Sequence, residues 1–461
     1  MKKTEPKYTY RFVCGVILTA LACGMFFFVW YRFVSNHNNT GSLLGKGNLG
    51  MALGIYLILY VFFGRFVRAF RIGVERKASI VAAQIIALFL VDFTEVFLSL
   101  AITGQFRYLW QFFWRYALLL IAQSAVIAVL TILMVDLYRK KFPPLQLLEI
   151  HGDFEDNFWE EVNGIYYKYH ILRRMHFSEG PFDDEICKYD AVLLYNVPAR
   201  QRNDIVKLCF AKNKRLYFVP KLSDIIIRRA DELNLFDKPL FLCRNRGMTN
   251  LQWVAKRFFD LTLSLLALIV LSPVFLVTSV AIKLNDGGPV FYKQERVTIG
   301  GRHFMMIKFR SMIVDAEKDG RSHPAGENDD RITKVGRVIR PLRIDELPQL
   351  INILKGDMSI VGPRPERWEH VEKYTEEIPE FVFRQKARGG LTGYAQVYGK
   401  YNTTALDKLK MDLVYITNFS LRLDLQIILE TLKILLRKES TEGFSETSAA
   451  AMHDYTSPQD R

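Results

Sequence analysis

The chain has 461 residues, enough for two or three domains. Half of them are hydrophobic and 13% are aromatic, a mixture that suits a protein partly in lipid and partly in water rather than one soluble globule. The formal net charge of +14 calls for an anionic partner, nucleic acid or anionic lipid; the apolar runs below favour lipid, and no nucleic acid is expected. Cys14, Cys23, Cys187, Cys209 and Cys243 are odd in number and lack metal-type spacing, so they read as reduced thiols.

In chain order, a short basic start (Lys2, Lys3, Lys7, Arg11) precedes the apolar run 12–34, which is long enough to span a bilayer. A signal peptide is the alternative, but no clean small-residue cleavage site follows and three more runs come later. These are 49–64, 78–102 and 116–135. The third carries Asp92 and Glu95, which read as members of an interhelical hydrogen bond or a helix end rather than as a transport site. Residues 103–115 are rich in aromatics, as at a membrane interface. Basic residues crowd the N-terminus, the loop 65–77 and the segment 139–141, whereas the other two loops carry almost none. The positive-inside rule then puts both ends of a four-helix transmembrane bundle, residues 1–141, in the cytoplasm.

Residues 142–247 open on Phe142-Pro143-Pro144 and alternate short apolar runs (145–150, 191–195, 216–219) with helix-length stretches. This predicts a small Rossmann-like α/β module with a parallel sheet. A dinucleotide site would need Gly-x-Gly-x-x-Gly after the first strand. The segment 151–156 is acidic with one glycine, so a structural or regulatory role is expected instead.

A fifth apolar run, 261–282, has Ser272-Pro273 at its middle. Proline there breaks or kinks the helix. Lys256 and Arg257 precede the run and Lys283, Lys293 and Arg296 follow it. Cations on both flanks point to a re-entrant helix over 260–283 that returns to the same face. A straight fifth span is the alternative, and would carry the following domain to the other side.

Beyond it, Lys308 and Arg310 lie among alternating apolar residues. Lys334, Arg337, Arg340 and Arg343 then lead to two adjacent carboxylates, Asp345 and Glu346. The carboxylates are expected at the start of a short apolar helix with Pro348 in its first turn, where free N–H groups bind phosphate. Cations at this density attract phosphates and lower carboxylate pKa values. Pro363-Arg364-Pro365 presents a rigid guanidinium, shaped to fork onto phosphate. Together these suggest phosphoryl chemistry. Further on, 388–396 is a glycine-rich turn with room for close ligand approach. Residues 368–380 and 406–415 read as helices, and 421–436 as an apolar helix. From Lys438 apolar content falls, and 441–461 read as a disordered tail.

Several stretches resemble the bacterial sugar transferases, monotopic phosphoglycosyl transferases acting on polyprenyl phosphate. They are Lys256-Arg257-x-x-Asp260, Ser272-Pro273, Lys308-Phe309-Arg310-Ser311-Met312, Asp345 to Leu350, Lys355 to Ser359, Gly362-Pro363-Arg364-Pro365-Glu366 and Gly390 to Gln396. They occur in family order over residues 251–436. The four upstream spans resemble the large form only in architecture. The resemblance implies a catalytic domain over 248–440, an α/β fold anchored by the re-entrant helix. It implies transfer of a sugar 1-phosphate from a UDP-sugar to undecaprenyl phosphate at the cytoplasmic face of the inner membrane, opening capsule, exopolysaccharide or O-antigen synthesis.

By the same resemblance Asp345 is the nucleophile, forming a sugar-phosphoryl-aspartate with loss of UMP, Glu346 is the Mg²⁺ ligand, and Arg364 holds a phosphate. Lys308, Arg310, Arg343, Pro363, Pro365 and Glu366 are implied at the substrate. Arg257 and Asp260 would pair near the mouth of the re-entrant helix, and Ser272 and Pro273 would shape it. Thr298, Arg343 and Trp368 depart from the family pattern, which puts loop shape and sugar choice in doubt. Two other readings stay open: a scaffold of polysaccharide assembly whose transferase has decayed, and a polytopic carrier with a soluble tail. The bundle and its extra module offer surface for a homodimer.

Overall fold

The computed structural model describes residues 5–37, 45–153, 158–233, 238–243, 247–314, 329–399 and 403–435. The tail expected over 441–461 lies outside the described residues. The chain divides into two compact units, Met1–Val219 and Pro220–Arg461.

The first unit opens with four helices: α1 (Glu5–Arg32), α2 (Lys46–Phe66), α3 (Lys77–Thr103) and α4 (Leu109–Lys141). Each is long and apolar enough to cross a membrane. Apolar packing alone holds helices weakly in lipid, so buried polar groups add interhelical bonds. One such chain joins all four. Gln123 of α4 donates from Nε2 to Ala22 O of α1 (3.0 Å) and to Tyr56 Oη of α2 (2.9 Å). Tyr56 Oη in turn donates to Asp92 Oδ1 of α3 (3.3 Å). Asp92 therefore serves an interhelical bond. Both carboxylate oxygens of Glu95, one turn further on, are buried without a hydrogen-bond partner.

A four-stranded parallel sheet follows, in the order β2-β1-β3-β4. Its strands are β1 (Leu145–His151), β2 (Tyr169–His176), β3 (Ala191–Tyr195) and β4 (Arg215–Phe218). β3 is a continuous apolar run, as befits a central parallel strand, whereas β1 is interrupted by Gln146 and by Glu149, which is buried against Arg174. β2 buries only Ile171 and Met175, so its apolar run is too broken to have been foreseen. The helix Ala199–Ala211 covers the sheet through Ile205 and Cys209.

In the second unit α5 (Asn250–Val270) starts with a reciprocal cap: Thr249 Oγ1 accepts from Gln252 N, and Gln252 Oε1 from Thr249 N. It meets α6 (Ser272–Asp286) at an angle of 61°. The break falls at Ser272-Pro273, with Pro273 in the first turn of α6, where its missing N–H costs nothing. Ser272 Oγ donates back to Ile269 O (2.8 Å). An antiparallel pair, β5 (Phe291–Val297) and β6 (His303–Phe309), packs on α7 (Gln349–Lys355). Phe304 and Met306 of β6 meet Leu350 and Ile353 of α7 and Met358 in one apolar cluster. Two short parallel strands, β7 (Ser359–Val361) and β8 (Gly390–Thr392), lie beside it.

A buried ion pair ties α5 to the last described helix, α8 (Leu421–Leu435). Lys256 Nζ lies 2.7 Å from Asp424 Oδ2 and donates to Val361 O of β7 (3.0 Å). Tyr415 Oη donates to the other oxygen of Asp424 (2.9 Å). Removing one charge strands the other, at a cost of roughly 3–5 kcal/mol. Lys256→Met is therefore expected to lower the melting temperature of the detergent-solubilised protein sharply. Lys256→Met/Asp424→Leu should recover part of the loss, as followed by tryptophan fluorescence on heating.

Candidate active site

The two carboxylates sit one turn before α7, in a 3₁₀ turn over Ile344–Glu346. The chain reaches this turn through Arg343, whose φ of 52° and ψ of 24° are left-handed. That reversal lifts the pair out of the helix expected to begin with them. Two of the helix N–H groups expected to be free there are spent. Leu350 N bonds Leu347 O, Ile351 N bonds Pro348 O, and Pro348 has no N–H to offer. Side-chain cations add to the attraction for phosphate at this turn.

Three cations surround Glu346. Arg364 Nη2 lies 2.7 Å from Oε1, Arg343 Nη1 3.5 Å from Oε2, and Lys308 Nζ 3.8 Å from Oε1. Burial alone would raise the Glu346 carboxyl. The positive charges of Arg364, Lys308 and Arg343, with the hydrogen bond from Arg364, outweigh it and hold this group well below the carboxylate range. Asp345 goes the other way, to about 6. Burial is the larger cause and the charge on Glu346 the second, partly offset by Lys308, Arg340 and Arg364. Burial also lowers Lys308 to about 8, with Glu346 opposing. The turn therefore holds one carboxylate locked in its ionised form beside one that titrates near neutrality.

Arg364 is fixed from behind. Pro363 and Pro365 are buried on either side of it. Its carbonyl accepts from Arg384 Nη2 (2.9 Å), and Arg384 is in turn held by Asp412 Oδ2 (2.8 Å). Glu366 faces Arg296 (3.8 Å) and Arg384 (3.7 Å), so these ion pairs support the loop rather than the dyad. Arg310 is buried and pairs with Asp286 at the end of α6. Of the proposed substrate-binding residues, Lys308, Arg343 and Arg364 are therefore brought to the carboxylates by direct ion pairs. The ion pairs of Arg310 and Glu366 lead elsewhere.

Arg257 and Asp260 do not meet as the expected pair; each takes a backbone partner. Arg257 donates to Leu354 O (2.8 Å) and to Ile353 O (2.6 Å), which also accepts from Gly356 N, so it closes the end of α7. Asp260 Oδ1 accepts from Ile360 N of β7 (3.1 Å). The space expected for a ligand at the glycine-rich turn is filled by backbone. A Cβ on Gly390 would stand 2.1 Å from Gly362 N, and one on Gly362 would stand 2.2 Å from Arg388 O. Thr298, a departure from the family pattern, clamps the same region by donating to Asp357 O (3.1 Å) and accepting from Gly389 N (3.0 Å).

Sequence reading missed Asn352, which accepts from Ile307 N (2.9 Å) and donates to Met305 O (2.9 Å), so fixing α7 against the strand of Lys308. It also missed Arg384 and Asp412. No spacing marks these residues; a buried asparagine in an apolar helix is the only local hint.

The family described as bacterial sugar transferase matches residues 251–438. A sugar transferase of Bacillus subtilis, EpsL, is 38% identical over 207 residues, 45% of this chain and 98% of its own length. The chain belongs to the bacterial sugar transferase family. Among longer relatives, a UDP-N-acetylgalactosamine-undecaprenyl-phosphate N-acetylgalactosaminephosphotransferase of Aeromonas hydrophila is 39% identical over 50% of this chain and 54% of its own. A UDP-glucose:undecaprenyl-phosphate glucose-1-phosphate transferase of Klebsiella pneumoniae is 40% identical over 45% of each. The chain thus spans about half the length of those two relatives.

Among the described residues no group of three or more His, Cys, Asp or Glu forms a metal cage. A single ionised carboxylate at Glu346 fits a cation that takes one or two carboxylates and draws its other oxygens from substrate phosphates and water, as Mg²⁺ does. Asp345 should feel the loss of its neighbour's charge. In the variant Glu346→Gln its titration is expected well below about 6, because repulsion goes and the cations of Glu346 become free to attract it. The carboxyl infrared band, taken as the difference from Asp345→Asn, measures this.

Proposed function

We propose that this chain transfers a sugar 1-phosphate from a UDP-sugar to undecaprenyl phosphate, releasing UMP and forming an undecaprenyl-diphosphate-sugar. The observation that carries this is the unequal carboxylate turn, where Asp345 titrates near neutrality beside an ionised Glu346 and three cations. The names of the long relatives, which join a UDP-sugar to undecaprenyl phosphate, support the same chemistry.

In this mechanism a carboxylate oxygen of Asp345 attacks the β-phosphorus. The bond to the bridging oxygen breaks, and its electron pair leaves with UMP. The phosphorus stays on Asp345 as a mixed anhydride carrying the sugar. A lipid phosphate oxygen then attacks that phosphorus, and Asp345 leaves as a free carboxylate. Splitting one displacement into two is ordinary nucleophilic catalysis. Raised to about 6 by burial and by Glu346, Asp345 is more nucleophilic than a solvated aspartate yet ionised at neutral pH. Arg364 and Lys308 steady the equatorial oxygens as charge redistributes. Arg343, exposed at the rim, suits the diphosphate on arrival. Mg²⁺ held by Glu346 would supply Lewis-acid relief of the repulsion between carboxylate and diphosphate.

The same reading assigns the bent pair α5–α6 as a re-entrant anchor, with the catalytic unit on the cytoplasmic face of the inner membrane. The 61° break and the cations on both flanks support it. It assigns the parallel sheet as a Rossmann-like module without a nucleotide. At the point where strand order reverses, such sheets open a ligand crevice. Here Gly152 N bonds Tyr195 O (3.0 Å), and a Cβ on Gly152 would stand 2.0 Å from Asn196 O.

UMP release from UDP-glucose, UDP-galactose and UDP-N-acetylgalactosamine with undecaprenyl phosphate and Mg²⁺ tests the reaction. Asp345→Asn should lower it by about 10³-fold or more; equal release from both proteins would sink the assignment and leave the decayed scaffold. Asp345 must be ionised and Lys308 protonated. The rate should therefore fall as pH drops below about 6 and fall again as it rises above about 8. A pH–kcat/KM series measures both limbs.

A further inference from the structure

The bundle of the first unit has an open groove between α1 and α4, of about 590 Å³. Ala20 and Gly24 line it from one side and Leu118 and Ala122 from the other, and its rim carries Arg32 and Arg115. From Ala20 to Arg32 is twelve helical residues, or ~18 Å. A single leaflet contributes ~15 Å of hydrocarbon. The groove therefore has the depth of one leaflet, apolar along its length and cationic where headgroups begin. Tyr108, Trp110 and Trp114 surround the start of α4, the residue types that mark that level.

Nothing in the bundle's sequence neutralises these arginines. Between Glu5 and Glu75 there is no acidic residue, and between Glu95 and Asp136 there is none. That end of the bundle thus carries Arg32, Lys46, Arg107 and Arg115 without a carboxylate among its loops. The acids of α3 do not serve, since Asp92 and Glu95 are 2% and 0% exposed whereas both arginines are exposed. Arg115 lies over the Phe33 ring at 4.6 Å, which leaves its guanidinium edge open to an oxyanion.

We infer that the α1–α4 groove holds one anionic glycerophospholipid, an acyl chain along Ala20 and Gly24 and its phosphate between Arg32 and Arg115. The polyprenyl phosphate substrate is the wrong occupant. These arginines lie at the opposite end of the bundle from the basic loops, and the substrate phosphate must reach Asp345 on the side of those loops. That last step rests on the membrane orientation proposed above.

Native mass spectrometry of the full chain in detergent, with phosphatidylglycerol, phosphatidylcholine or undecaprenyl phosphate added, tests the site. Phosphatidylglycerol should be retained at least about tenfold over phosphatidylcholine. A Cβ on Gly24 meets nothing within 4 Å, so Gly24→Leu should fold, fill the groove and abolish that preference with both arginines intact. Arg32→Gln/Arg115→Gln should do the same with the groove open. UMP release measured in parallel should stay at the wild-type level in Gly24→Leu, so a failed lipid site and a failed transferase assignment remain distinct. Equal retention of the two phospholipids overturns the proposal, as does a preference that survives both variants. Undecaprenyl phosphate outcompeting phosphatidylglycerol also overturns it, as does a dimer that Gly24→Leu dissociates, since a second copy would then be the occupant.

Discussion

The contact between Arg364 and Glu346, 2.7 Å long, sets the electrostatics of everything around it. It keeps Glu346 charged despite burial, and that charge is one of the two causes that raise Asp345. Lys308 and Arg343 share the same carboxylate, so three cations meet one strongly ionised acid. The surplus of positive charge is what a diphosphate would fill. A site of this kind is poised before the substrate comes, and the protein need not reorganise its charges during reaction.

Much of the second unit can be understood as support for that contact. Arg364 is gripped through its carbonyl by Arg384, which leans on Asp412. Lys308 is placed by β6, and β6 is stitched to α7 by Asn352. The end of α7 is closed by Arg257 from α5, the helix that leads into the bend. The charged groups of the α5 start thus serve backbone rather than one another. The broken apolar helix and the helix that follows the carboxylate turn are joined by two hydrogen bonds from one guanidinium.

The parts legible in sequence are those that local chemistry dictates. Run length gave the four long helices, and Ser272-Pro273 gave the break. Asp345, Glu346 and Arg364 stood out because charge at that density beside an apolar helix needs a reason. The rest was hidden because it depends on approach across the fold. β2 escaped because only Ile171 and Met175 of it are buried. The position of Asp345 and Glu346 ahead of the helix turned on the left-handed backbone at Arg343, which an arginine does not advertise. The glycines near 390 promised room, and only the fold shows that the backbone at Gly362 takes it.

That left-handed residue bears on how this sequence can drift. A non-glycine side chain there costs about 1–2 kcal/mol relative to glycine, and asparagine is the next most tolerant type. A small polar residue or glycine would suit such a backbone better than Arg343 does. The arginine present here places a third cation 3.5 Å from Glu346. A neutral replacement would make the fold more robust and the turn less cationic in one step. Selection for heat tolerance and selection for a cationic turn would then pull this single codon in opposite directions.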